Sequence, residues 1–310
     1  MRVTANTFPN ELLNHLNRLA LRQTKLQTQA ATGQRLRLPE DDPTSMRRVM
    51  DLQQEANSLA QYRRNIQRQQ ELAAASFEAI KALKRLADRA GEIATRADDL
   101  KSPEERRAYA IEIDELIRQA VQLGNTKNRG DHLFAGTKTD TPPFQLLTDA
   151  DGRITGVSYQ GNANLAETEI AQGVTLSVQV VGANTTGAGP RGLMADSQSG
   201  ADLFAHLISL RDHLTAGDTA GIVTDREQLA KDAENFIFHI GTNGALQARL
   251  ETTAAIAQRR GESLSQLMSK EADADLAQTL VQLNTTQTAY QAALQTGGML
   301  LNSSLLDYLR

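Results

Sequence analysis

The sequence contains no cysteine and no tryptophan. Disulfides, thiolate nucleophiles and Cys-ligated zinc are therefore excluded. Aromatic residues make up only 4% of the chain, so a thick core built on large rings is not expected. Alanine, leucine and glutamine fill the space instead, and they lose little rotamer freedom in a helix. No run approaches the roughly 18 apolar residues of a membrane span. Residues 1–10 show no apolar stretch with a small-residue cleavage site, so no cleaved secretory signal is expected. Formal net charge is −4, from 33 basic and 37 acidic residues, which gives no electrostatic footprint for nucleic acid. Residues 1–50 are locally basic (Arg2, Arg18, Arg22, Lys25, Arg35, Arg37, Arg47, Arg48). That excess reads as a solvated helix face or a surface for an acidic partner.

Proline is also sparse. The seven prolines leave 44–102 and everything after 190 free of it, and helix interiors exclude proline because it lacks the N–H and clashes with the preceding turn. Helices are predicted at 8–31, 43–100, 103–128, 201–216, 219–268 and 272–308. Asp42-Pro43 offers a capping carboxylate followed by proline in the first helical position. Ser102-Pro103-Glu104-Glu105 is a capping box. Glycine is concentrated in the middle: eleven of 21 fall between Gly130 and Gly200. There Asp151-Gly152 separates Phe144–Leu147 from Ile154–Tyr159, a hairpin pattern. Val174–Val181 alternates as a half-buried strand does. The expected architecture is mainly α: an elongated bundle of long helices with paired terminal coiled-coil helices and a small inserted β module. Its expected divisions are a terminal helical polymerisation domain (1–42 and 269–310), a helical rod (43–137 and 200–268) and the β domain (138–199).

The ends share a pattern. Leu12, Leu16, Leu19, Gln23, Leu26 and Ala30 are spaced 4, 3, 4, 3, 4, an a/d seam. The same spacing runs through Leu276, Leu280, Leu283, Gln287, Tyr290, Leu294, Gly297 and Leu301. Each stripe is narrow. A few leucines at about 25 cal/mol per Å² hardly offset an ordering cost of roughly 1–2 kcal/mol per residue. Such helices need each other, or neighbouring subunits; a hairpin within one chain and a coiled coil between chains are both compatible with the period. The ends are expected to be loose in a free monomer.

Motifs with a chemical look do not hold up. Gly187-Ala-Gly189-Pro-Arg-Gly192 matches a dinucleotide fingerprint, but that loop must stand between a strand and a helix; here it reads as a flexible glycine-rich linker. His206 and His213 could share a helix face, without the further ligands a metal needs. Asp149-Ala-Asp151-Gly152 resembles the start of a calcium loop, yet Arg153 breaks the alternation of ligands. No nucleophile elbow occurs. No enzymatic activity and no cofactor are expected.

Several stretches together resemble the flagellin-like axial proteins of the bacterial flagellum, and the junction-type members more than the filament type. They are Ala31–Pro43, with Pro39, Asp41, Asp42 and Pro43 as an inter-domain turn; Tyr62-Arg-Arg-Asn65-Ile66; Gly130–Thr137; Tyr159-Gln-Gly161; Ile170–Val174; Glu271–Leu276; and Ser304–Leu309. The resemblance implies an extended protein whose termini pack together. It implies self-assembly into a ring between hook-associated protein 1 and flagellin, and location in the extracellular flagellum. It also implies unfolded export by the flagellar type III route, with a chaperone on the C-terminal helix. Subunit contacts would then fall on Leu12, Leu16, Leu19, Leu26, Leu276, Leu280, Leu283, Leu294 and Leu301. Flagellin itself and a non-flagellar coiled-coil binding module are the rival readings.

Overall fold

A computed structural model describes residues 7–97 and 101–308, with the backbone alone for 7–9 and 300–308. The protein is mainly α. Helices α1 (Thr7–Thr32), α2 (Pro43–Arg96) and α3 (Pro103–Gly124) precede nine short strands; α4 (Leu203–Ala216), α5 (Thr219–Ala272) and α6 (Leu276–Tyr308) follow them. Among the described residues no helix is long and apolar enough to cross a membrane. The chain forms two compact units. One comprises residues 1–58 and 259–310, the other 59–258, and α2 and α5 contribute to both.

Local chemistry starts and stops the helices. Asp42 Oδ1 accepts the backbone N–H groups of Thr44 and Ser45, each at 3.1 Å, just ahead of Pro43. Ser102 Oγ accepts from Glu105 N at 3.2 Å while Glu105 Oε2 accepts from Ser102 N at 2.8 Å, the reciprocal cap read from the sequence. Helix α4 ends at Gly217, whose φ of 74° is left-handed, a conformation only glycine adopts at no steric cost.

Three sequence expectations are corrected. Helix α3 stops at Gly124 rather than 128. The Phe144 ring lies on Gly124, where a Cβ would approach it to 2.6 Å. Beyond it, the Asn125 side chain pairs with the Phe144 backbone in both directions, at 2.8 and 2.9 Å, so Asn125 serves as a stand-in strand edge. Residues 98–100, expected to close α2, lie outside the described residues. The expected strand Val174–Val181 is split. Strand β6 (Val174–Leu176) pairs antiparallel with β5 (Thr168–Ala171), whereas β7 (Val181–Asn184) starts a second sheet beside β8 (Gly192–Asp196) and β9 (Ala201–Asp202). The alternation of valines cannot report the change of partner at residues 177–180.

The third correction is the glycine-rich segment. β7 and β8 are parallel, an arrangement that normally needs a crossover of about a dozen residues or more. Residues 185–191 manage it because Asn184 pins them: Nδ2 donates to Ala188 O (2.8 Å) and Pro190 O (2.7 Å), and Oδ1 accepts from Thr186 Oγ1 (2.7 Å). The segment is tied down rather than a free linker, and it enters a strand, so no helix N-terminus stands ready for a phosphate.

In the second unit, one core joins α2, α3, α4 and α5 to strands β3 (Phe144–Thr148), β4 (Ile154–Tyr159) and β8. Strands β3 and β4 form the expected hairpin. Phe144 centres it, 5.3 Å from Tyr159 and 5.4 Å from Phe204 between ring centroids. The Tyr159 hydroxyl lies 2.9 Å from Phe134 O and 3.1 Å from Asn162 O. Arg211 is buried and spent on structure, reaching Asp114 at 3.0 Å, Ile154 O at 2.7 Å and Asp212 at 2.8 Å. A smaller core holds the β5–β6 hairpin on α2 and α5: Ile170, Leu176 and Val178 pack with Ile66, Ala73, Leu250 and Ala257.

At Gly182 the backbone passes so close to the hairpin that a Cβ would lie 2.7 Å from Phe134 O and 2.8 Å from Phe144 Cζ. Gly182→Ala should therefore cost about 1–3 kcal/mol, as overpacking does, with the loss read as a lower urea midpoint for the near-ultraviolet signal of the aromatic cluster; an unchanged midpoint would show that the neighbours yield.

Candidate assembly interface

In the first unit α1 and α6 pack against each other, and their facing residues differ in kind. Helix α1 contributes bulk: Leu12, Leu16 and Leu19 are half-buried and Leu26 is buried. The inward line of α6 is mostly small or polar, passing through buried Thr279, Thr286 and Gly297 and half-buried Leu283, Tyr290 and Ala293. At Gly297 the Leu12 side chain fills the place of the missing Cβ, which would fall 2.6 Å from Leu12 Cδ2. The Thr286 hydroxyl, 5% exposed, donates to Gln282 O at 2.7 Å, so it is buried without an unmet hydrogen bond.

The seam expected through the α6 leucines is thus rotated. Leu283, Gln287, Tyr290 and Gly297 stay on the inward side, but Leu276, Leu280 and Leu294 are 48%, 51% and 48% exposed. Val281 and Met299 on α6, and Leu13 and Leu21 on α1, are also exposed. The physical reason is complementarity of size. Leucines from α1 need hollows, and α6 offers hollows along its threonine, alanine and glycine line; its own leucines would hold the helices apart. The side chain of Leu301 lies outside the described residues. Gln23 and Gln287 both sit half-buried in the seam.

A polar clasp closes this unit where α1 leads to α2 and α5 to α6. Arg35 N donates to Ala272 O at 2.7 Å and Ala274 N to Gly33 O at 2.8 Å, a short strand-like bridge between the two connections. Arg35 Nη2 adds a bond to Glu271 O at 2.6 Å, and Arg48 meets the Glu271 carboxylate at 3.4 Å. Leu36 is buried beside them. Further along, Arg260 and Glu55 pair at 2.7 Å. Of the turn residues, Pro39 is exposed and Pro43 opens α2. Asp41 organises the turn itself: Oδ1 takes the Lys25 ammonium at 2.7 Å, and Oδ2 takes the N–H groups of Arg37 (3.2 Å) and Leu38 (3.1 Å). The hydrogen bond from Lys25 comes first among the causes that hold the Asp41 carboxyl down to about 2, followed by the backbone donors. Asp42 is lowered as well, chiefly by the Ser45 side chain.

The inward line of α6 and the Arg35–Glu271 clasp were not read from the sequence. The first carries no apolar signal. The second joins residues 236 positions apart, beyond the reach of local pattern. Among the described residues no group of three or more His, Cys, Asp or Glu could hold a metal.

Residues 3–139 match the model of the bacterial flagellin N-terminal helical region. No curated protein matches the chain in sequence. Solved structures do match in fold. A flagellar hook-associated protein from Vibrio parahaemolyticus aligns with a TM-score of 0.65 at 16% identity, over 75% of this chain and all of that one. FlgL from Bacillus cereus aligns at 0.55 and 18%, over 71% of this chain and 99% of that one. The flagellar junction protein FlgL from Legionella pneumophila aligns at 0.53 and 13%, over 74% of this chain and all of that one.

The Asp41 carboxylate is held below its unfolded value, so its contribution is present above about pH 4 and is lost as pH falls toward about 2. Amide protection at Arg37 and Leu38, corrected for the intrinsic pH dependence of exchange, should fall across that window. Asp41→Asn should show low protection at neutral pH already and no further loss in acid; an identical pH response in the variant would assign the effect to another group.

Proposed function

We propose that this chain, flagellin-like in its N-terminal helical region and folded as the flagellar hook-associated proteins are, is a structural protein of the flagellum and forms the adaptor ring of the hook–filament junction. In this reading it is a hook-associated protein 3 rather than an enzyme. It is exported unfolded by the type III route with the help of a chaperone on α6, and joins hook-associated protein 1 to flagellin. The terminal helices form its polymerisation domain, and the segment 138–199 faces outward.

The observation that carries the proposal is the outward face of α6. Leu276, Leu280 and Leu294 stand half-exposed on a helix whose inner line is already filled. Burying the remaining half of one leucine side chain yields about 1 kcal/mol, so three give about 3 kcal/mol per contact. Association of two free molecules costs roughly 4–15 kcal/mol in lost freedom. A single pair is therefore too weak to persist, whereas a subunit held on a template between two neighbours gains the contact twice. That arithmetic suits a ring assembled at the tip of an existing structure, and it leaves the free subunit monomeric for export.

The Leu276→Ser, Leu280→Ser, Leu294→Ser triple variant should keep the far-ultraviolet circular dichroism of the wild type yet fail to support filaments, with flagellin shed into the medium as in a strain lacking the gene. Normal filaments in the deletion strain would overturn the junction assignment. Long filaments formed by the purified protein alone, seen by electron microscopy, would favour a flagellin instead.

A further inference from the structure

Helix α4 presents two histidines, seven positions apart, to two aspartates of α5 at the same spacing. His206 Nδ1 lies 2.8 Å from Asp232 Oδ2, and His213 Nδ1 lies 2.6 Å from Asp225 Oδ2. Both aspartates are buried. An ionised carboxylate only accepts, so with both aspartates ionised each Nδ1 is the donor. Asp232 Oδ1 also accepts the backbone N–H of Asp202 at 2.9 Å, and Asp202 in turn caps α4 through Ala205 N at 3.1 Å. The His213 ring rests on Gly221 of α5, where a Cβ would come within 2.6 Å of it. Further along α5, buried His239 places Nε2 3.1 Å from Gly192 O, the carbonyl that also takes Asn235 Nδ2 at 2.9 Å. Neither the assembly face nor the clasp uses any of these groups.

We propose that these contacts are a two-sided proton latch: the proton shared by His206 and Asp232 holds α4 on α5, and a proton added to His239 releases the Arg191–Asp196 segment from α5.

The two histidines have opposite surroundings. Around His206 stand Asp232, Asp202 and Asp225, and Asp218 and Asp225 face His213. Arg211 of the same helix is engaged with Asp114 and Asp212, and Arg106 of α3 with Lys101 O, its guanidinium against Gly217. Burial lowers the His206 affinity for its proton, but the carboxylates outweigh it and the net direction is up. Burial raises Asp232, opposed by His206. Both shifts mean that the folded state holds the proton more tightly than the unfolded one. The stability is present below about pH 6.5 and is lost as pH rises through the folded value of His206. Around His239 the nearest charge is Arg191, whose guanidinium lies 4.4 Å over the Phe238 ring and whose Nε meets Asn235 Oδ1 at 2.5 Å; Asp196 stands behind it, 3.9 Å from Arg191. Burial, with Arg191 in support, pushes His239 down. Its contribution has the other sign: present above about pH 6.5 and lost as pH falls below it.

The test is hydrogen exchange by mass spectrometry on the full chain from pH 5 to pH 9, corrected for intrinsic rates. In the wild type, protection of 203–216 should fall toward pH 9 and that of 191–196 toward pH 5. Each unit by which a folded value departs from the unfolded one is worth about a factor of ten in the opening equilibrium. His206→Gln should flatten the alkaline response of 203–216 alone. His239→Gln keeps a donor for Gly192 O without a titrating ring, and should abolish the acid response of 191–196 while leaving neutral protection intact. Because His206→Gln could also loosen α4 outright, Asp232→Asn serves beside it and should likewise flatten the alkaline limb. Unchanged slopes in the His239→Gln and Asp232→Asn variants, or loss of protection in all segments together, would overturn the proposal.

Discussion

The bridge between Gly33–Leu36 and Ala272–Ala274 closes the first unit, and much of what that unit can do depends on it. It is a small element: three backbone hydrogen bonds, at 2.7, 2.8 and 3.3 Å, reinforced by Arg35 on Glu271. Each such bond is worth only about 0.5–1.5 kcal/mol net. It nevertheless fixes where α1 ends relative to where α6 begins, and so decides which residues of α6 meet the leucines of α1. Sliding either connection by one residue would rotate the facing helix by about 100° and carry Gly297 away from Leu12. The clasp therefore sets the register that the thin hydrophobic seam is too weak to set alone.

Much of the architecture was readable because it is written in local chemistry. The Ser102–Glu105 box, the Asp42-Pro43 start and the Asp151-Gly152 turn each act within a few residues, and each appears as read. The β-module motifs were legible as words but not as contacts. Asn65 of Tyr62-Arg-Arg-Asn65-Ile66 donates to Glu169 O at 2.8 Å, and Ile66 packs with Ile170, so this motif holds the β5–β6 hairpin on α2. Gly130–Thr137 and Tyr159–Gly161 meet each other through the Tyr159 hydroxyl on Phe134 O. Such pairings are set by tertiary packing, and no periodicity announces them.

What sequence reading missed on α6 has one cause. A heptad argument assigns leucines inward because leucine burial usually dominates the energy. Here α1 already supplies the bulk, so the mating surface must be concave, and concavity is built from Gly297, Ala293, Thr286 and Thr279. The signal that could have found them is the regular 4, 3, 4, 3, 4 spacing of residues 279, 283, 286, 290, 293 and 297, which runs beside the leucine stripe but contains only one leucine.

That division of labour bears on how one helix can serve two purposes. If the leucines of α6 faced α1, the pair would be more stable and would offer nothing apolar to a neighbour. If both faces were leucine-rich, the free chain would expose a continuous apolar surface prone to unspecific association. Small residues inside and spaced leucines outside avoid both outcomes. The inner face forms a hairpin of modest stability by shape, and in the proposed assembly the outer face keeps three anchors whose individual worth, about 1 kcal/mol each, is felt only when several subunits present them together. In the proposed assembly the weakness of the outward contact is the condition for its use: an interface strong enough to close in solution would close before its subunits reached the structure they are to extend.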